Sequence, residues 1–246
     1  MANSSIQTLN ATDHMPLRVV TDYGHQLGDG IGFAITYPIE FRDIQACYPI
    51  LFSKDSNTGA FFPVALLGTQ PDENLFLNNG TWNASYIPAT VRRHPFLISS
   101  PEDDRTSTDL VILIDTAHPK VNAVEGQLLF DETGAQTPFL KDAAALLNQI
   151  HFGLSHSKEF MTALLEHDLL EPITISFTLD DGADCSLDQF YGIAEEQLFK
   201  LSGKVLEQLN QNGFLQAAYM AVASMSRLRT IIEAKNRQIS DLAPPR

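Results

Sequence analysis

The sequence predicts an α+β fold: a mainly antiparallel sheet in the N-terminal half, packed against a helical C-terminal half with a long final helix. Three observations carry that expectation. Short β-branched and aromatic runs punctuated by Gly, Pro and Asn recur from Ile31 to about Phe130. The apolar period lengthens from strand-like to helical after Thr137. A single apolar seam then runs from Phe214 to Ile232 in alternating steps of four and three.

Taken in order, residues 31–37, 48–52, 61–67, 96–98 and 110–114 read as strands, with a short helix following Pro38. Residues 110–114, Leu-Val-Ile-Leu-Ile, are apolar on both alternating faces, which predicts a central strand covered above and below. The acidic, turn-forming residues 99–105 before it read as a solvated loop. Thr137 and Pro138 suit the N-cap and first turn of a helix whose apolar face is Phe139, Ala143, Leu146, Leu147 and Ile150. Gly153 is expected to end that helix, and Ser157 to cap a second one carrying Phe160, Ala163 and Leu164. Pro172 precedes a strand-like run at 173–177, and Asp180-Asp181-Gly182 reads as a turn. The final helix places Phe214, Ala218, Ala221, Met225, Leu228 and Ile232 on one side, facing either the chain's own sheet or a second copy. Arg227, Arg229, Lys235 and Arg237 gather toward its C-terminal end, where cations favour the helix dipole. The expected organisation is one domain over 17–235, strand-rich to 130 and helix-rich from 136, between flexible tails at 1–16 and 236–246.

The 246 residues, 44% hydrophobic and 19% charged, suffice for a substantial core. A formal net charge of −14 disfavours general binding to nucleic acid or to anionic lipid, so any anion must be captured locally. Cys47 and Cys185 are too few for a disulfide scaffold and read as buried free thiols. The first residues carry neither a basic nor an apolar leader segment, and no apolar run approaches a bilayer span, so a cytoplasmic location without membrane insertion is expected.

Templates for chemistry mostly fail. The glycine-rich 24–32 stretch lacks the lysine of a phosphate loop and precedes a strand, so it reads as a turn. Neither a Gly-x-Ser-x-Gly elbow nor a His-Glu-x-x-His or Cys-x-x-Cys pattern occurs, and no metal or cofactor is indicated. His151, His156 and His167 lie near expected helix ends, which dipole and capping effects explain. Glu195-Glu196 and Asp180-Asp181 carry no specific signal in a chain this acidic.

The densest segment spans residues 74–96. Arg92 and Arg93 can clamp a carboxylate or phosphate, Trp82 or Tyr86 can supply an aromatic wall, and Asn74 opens the segment. These five residues are the candidate ligand-binding set. The competing reading has both arginines bridging local carboxylates and the aromatics in the core. An enzyme acting on a small carboxylate-bearing metabolite or peptide is the other functional reading, with Glu40, Tyr86 or His94 handling protons.

Several phrases also occur in a characteristic order: Glu40-Phe41, 48–52 (Tyr-Pro-Ile-Leu-Phe), 63–68, Asn74-Leu75-Phe76, Trp82, 86–89 (Tyr-Ile-Pro-Ala) and 92–96 (Arg-Arg-His-Pro-Phe). They continue through 126–130, 169–172, Tyr191-Gly192-Ile193, 195–198, Gly213-Phe214-Leu215 and Ser224. In this order they resemble the SapC family over residues 17–232. The resemblance implies a bacterial protein connected, by the family's name, with surface-layer systems, and it brings no catalytic residue to carry over. The tyrosine usual before Pro-Phe is His94 here, which argues against His94 as a required ligand or base. Together these readings point to an accessory protein that recognises a protein partner or small anionic ligand, with a homodimer through the last helix as a further expectation.

Overall fold

The computed structural model describes residues 5–99 and 110–242; the acidic residues 100–105, expected as a loop, lie outside them. The fold is α+β, and its sheets are antiparallel. Contacts gather the chain into two units that do not follow its halves. One combines Met1–Gly30, Leu77–Trp82 and Ala89–Phe152, and the other Ile31–Phe76, Asn83–Pro88 and Gly153–Arg246.

In the first unit, Val111–Asp115 is the middle strand of a three-stranded sheet, between Ile6–Thr8 and Phe96–Ser99. Its central position matches the apolar sequence, but cover is uneven: Ile114 is fully buried whereas Val111 is 42% exposed. The strand Ile6–Thr8 replaces part of the flexible tail expected over 1–16. Its three side chains are exposed, so backbone pairing holds it and no apolar pattern announces it. Asn10 then accepts from the Asp13 amide and caps the short helix Ala11–His14. Arg18–Val19 lies between Val121–Asn122 and Gln127–Leu128 in a second small sheet. Leu77–Asn78 and Thr81–Trp82 form a hairpin whose turn residues, Asn79 and Gly80, both have positive φ (47° and 82°), as a tight primed turn requires. Val19, Phe96, Ile114, Leu129, Phe130, Leu140 and Leu147 form this unit's core.

The helix Pro138–Glu166 begins as expected, with the Leu140 amide donating to Thr137 Oγ1, but it runs for 29 residues. Gly153 does not end it. The residue is buried, and a Cβ there would lie 3.2 Å from Tyr37 Cβ and Cγ and 3.3 Å from Ile39 Cγ2. Glycine at this position admits a close neighbour, and the helical hydrogen bonds continue past it.

The second unit is built on a five-stranded sheet in the order Leu170–Thr178, Asp184–Ile193, Ile50–Lys54, Phe61–Leu66, Phe33–Ile35. The C-terminal half therefore supplies two of its strands. Pro172 lies within the first of these instead of stopping the chain before it, which the strand's edge position tolerates. Asp180-Asp181-Gly182 makes the connecting turn, with Gly182 at φ 87°. The last helix, Phe214–Ser224, passes through one tighter turn at Met225–Arg227 and continues as Leu228–Leu242, beyond the expected boundary at 235. Phe214, Ala218 and Ala221 of its seam are buried in this unit. Ser224 accepts from the Ile50 amide (2.7 Å) and donates to the Ala221 carbonyl (2.6 Å), tying helix to sheet.

Candidate functional site

The five candidate residues fall in both units. Asn74 and Tyr86 belong to the second and do structural work there. Asn74 is buried and its Oδ1 accepts from the Phe76 amide. Tyr86 donates to Glu40 Oε2 at 2.8 Å, and its carbonyl accepts from the Tyr48 hydroxyl. Glu40, 2% exposed, also accepts from Thr36 Oγ1 and the Tyr37 amide, so its carboxylate closes the turn that follows Tyr37.

Trp82, Arg92 and Arg93 belong to the first unit, where they join residues the local sequence pattern did not single out. The segment after Tyr23 forms a single tight turn, His25–Leu27, closed by Gly28 at φ 84°. That turn brings Asp29 back, so that its Oδ2 accepts from the Gly24 amide at 3.0 Å. Lys120 Nζ lies 3.0 Å from Asp29 Oδ1, with both side chains almost wholly buried, and 4.3 Å from the centre of the Tyr23 ring. Burial pushes the Lys120 pKa down while Asp29 opposes that shift. Trp82 meets Tyr23 edge-on at 5.6 Å, and the Tyr23 amide donates to the Gly80 carbonyl, so the Asn79-Gly80 hairpin seats the ring pair. Trp82 is itself buried; Tyr23 is the more exposed ring of the two.

The short helix Ala89–Arg92 delivers the arginines at its end. Arg92 is exposed, and its charge acts on Tyr23, partly countering the burial and the Asp29 charge that raise the Tyr23 pKa. Arg93 is half-buried and its Nη1 donates to the Phe96 carbonyl at 2.8 Å. Beside it the imidazole of His94 stacks on that of His118, with ring centres 5.0 Å apart and planes 29° apart. His118 Nδ1 accepts from the Lys120 amide, which makes Nε2 the protonated nitrogen of its neutral ring. Burial first, and then the charges of Arg93, His118 and Lys120, bring the His94 pKa down to about 4 against the opposing effect of Asp115. The His118 pKa is lowered too, by burial and then Lys120.

Among the described residues no group of three or more His, Cys, Asp or Glu side chains is placed to hold a metal, and no helix is long and apolar enough to cross a membrane. Cys47 is buried with its Sγ 3.1 Å from Ser85 Oγ, Cys185 is half-buried, and neither forms a disulfide.

The family model for SapC matches residues 9–231. The chain belongs to the SapC family. No curated protein and no solved structure matches it. The SapC match includes Tyr23, Asp29, His118 and Lys120 as well as the arginines, so the whole cluster lies within the family domain. Those four residues were hidden by distance: Asp29 and Lys120 are 91 positions apart, and a lysine after a proline signals nothing locally.

Proposed function

We propose that this SapC-family chain is an accessory binding protein that captures a small anionic ligand at the basic cluster of its first unit. One observation carries the reading. Three of the chain's 16 lysines and arginines, Arg92, Arg93 and Lys120, are linked through Tyr23 and the stacked His94 and His118 in a protein of net charge −14. Lys120 is paired with Asp29, and the adjacent guanidinium groups of Arg92 and Arg93 have the shape to engage an oxyanion. Tyr23, backed by Trp82, offers a flat apolar surface for the rest of the ligand.

Calorimetric titration at neutral pH with sulfate and with phthalate tests this reading. Arg92→Ala/Arg93→Ala is expected to weaken binding by about tenfold or more, the scale of one charge-assisted hydrogen bond, with a cooperative melt retained and only a modest fall in melting temperature from the lost Phe96 contact. Equal affinity in the double variant would reject the site, and a collapsed melting temperature would make the arginines structural.

The enzyme reading draws on the Tyr86–Glu40 hydrogen bond, but Glu40 is buried and both of its oxygens are engaged by Thr36, Tyr37 and Tyr86, so the binding reading is favoured. Two unpaired thiols fit a reducing cytoplasm, where the protein would serve surface-layer systems as an accessory; cell fractionation that finds it outside would refute this. A homodimer would use the last helix beyond Met225, where Leu228 and Ile232 remain partly exposed, and sedimentation equilibrium of a strictly monomeric protein would exclude it.

A further inference from the structure

We propose that the acid group of the ligand docks against the stacked His94 and His118 and is bound together with a proton, so that capture strengthens as the pH falls. The inference rests on the anion-binding reading above and adds to it the place of the acid group and the origin of a pH response.

The geometry begins with an orphan. Nδ1 of His94 is buried and finds no hydrogen-bond partner among the described residues. A buried polar atom without a partner is uncommon, and one at a stacked, charged site points to a group that completes it. The second ring, His118, has Nδ1 committed to the Lys120 amide, and its Nε2 lies beside Gly28, 3.5 Å from where a Cβ would stand. The charged groups acting on His94 are Arg93, His118 and Lys120 on the positive side and Asp115 on the negative. His118 is acted on by the same Lys120, Arg93 and Asp115, together with Asp29.

Two stacked imidazoles amid this much positive charge stay neutral near pH 7, because each added proton meets burial and like charge together. An oxyanion at the pair reverses the balance. An opposite charge within hydrogen-bonding range raises a titrating group by about 1–3 pH units, enough to carry His94 from about 4 into the range of roughly 5–7. Between those limits the free protein holds a neutral His94 and the complex a protonated one. Binding therefore takes up protons, and linkage sets the response: up to about a tenfold gain in affinity per pH unit for each proton taken up.

The test is titration with sulfate, which keeps its charge throughout, from about pH 7.5 down to about pH 5.5, in two cationic buffers of different ionisation enthalpy. The expected result is a buffer-dependent heat at the acidic end that corresponds to uptake of about one proton, and an affinity that climbs as pH falls. His94→Tyr keeps an aromatic ring against His118 but does not titrate in this range. Whatever sulfate binding it keeps should show a flattened pH response. His94→Asn serves as the second variant should the tyrosine disturb folding. Buffer-independent heat in the unaltered chain, or a full pH response in both variants, overturns the inference. If sulfate binds through Arg92 and Arg93 with no pH response, only the proton coupling fails; if sulfate binds at no pH, the anion-binding reading falls with it.

Discussion

The Lys120–Asp29 pair is a buried ion pair of the first unit. Its 3.0 Å separation and near-complete burial mean that removing one partner strands a charge the protein cannot hydrate. Lys120→Met should destabilise the fold by about 3–5 kcal/mol, because it takes the cation away from a buried carboxylate. That is a large part of the 5–15 kcal/mol typical of a folded domain. Asp29→Leu/Lys120→Met, which removes both charges, should recover much of the loss, so urea denaturation of the single and double variants separates a stranded charge from lost packing. If the single variant were as stable as the unaltered protein, the pair would be shielded by water and its effect on the neighbouring histidines would be far weaker than argued above. None of this was legible in the sequence. Arg92 and Arg93 stood out because they are adjacent cations in an acidic chain, whereas Lys120, His118 and Asp29 acquire meaning only when the Gly24–Gly28 turn folds the chain back.

At the scale of elements, legibility tracked the range of the force involved. Strands with apolar alternation and the seam of the last helix were readable because burial imposes a local period. Ile6–Thr8, an exposed strand paired through its backbone, was not, and neither was Asp184–Ile193, whose exposed Asp184, Ser186, Asp188 and Gln189 dilute the apolar signal. Gly153 shows the same limit in a helix. Read locally it is a terminator, yet it sits where Tyr37 and Ile39 approach the backbone. This gives opposed effects for Gly153→Ala. Alanine gains about 1 kcal/mol in helix propensity, while a Cβ 3.2 Å from Tyr37 crowds a packed contact at about 1–3 kcal/mol. Crowding should prevail, with a net loss of about 1 kcal/mol and unchanged helix content by circular dichroism. Gly153→Leu should lose considerably more. A stabilised alanine variant would mean that the aromatic neighbour yields easily and that helix propensity decides the outcome.

At the scale of the whole molecule, the decisive feature is that the chain alternates between its two units in six segments. Sequence reasoning divides it near residue 130, strand-rich before and helix-rich after, because composition changes there. Folding partners do not respect that division. The helix Phe214–Ser224 requires the strand Ile50–Lys54, whose Ile50 amide is satisfied by Ser224, and the hairpin of Leu170–Thr178 and Asp184–Ile193 joins the remaining strands through Tyr191 opposite Phe52. A fragment comprising residues 153–246 would keep that hairpin and the last helices but lose three of five strands in its sheet. Phe214, Ala217, Ala218 and Ala221 would then be exposed without the surface that covers them. The fragment should therefore show helical circular dichroism without a cooperative melt, and its amides should exchange within the dead time of a hydrogen-exchange experiment while the full chain protects the same segments. Adding residues 1–152 in trans should restore protection, since the missing strands come from there. A fragment that melts cooperatively alone would show that the C-terminal half holds a self-sufficient core, and the interleaving would then be a matter of chain path with little bearing on stability.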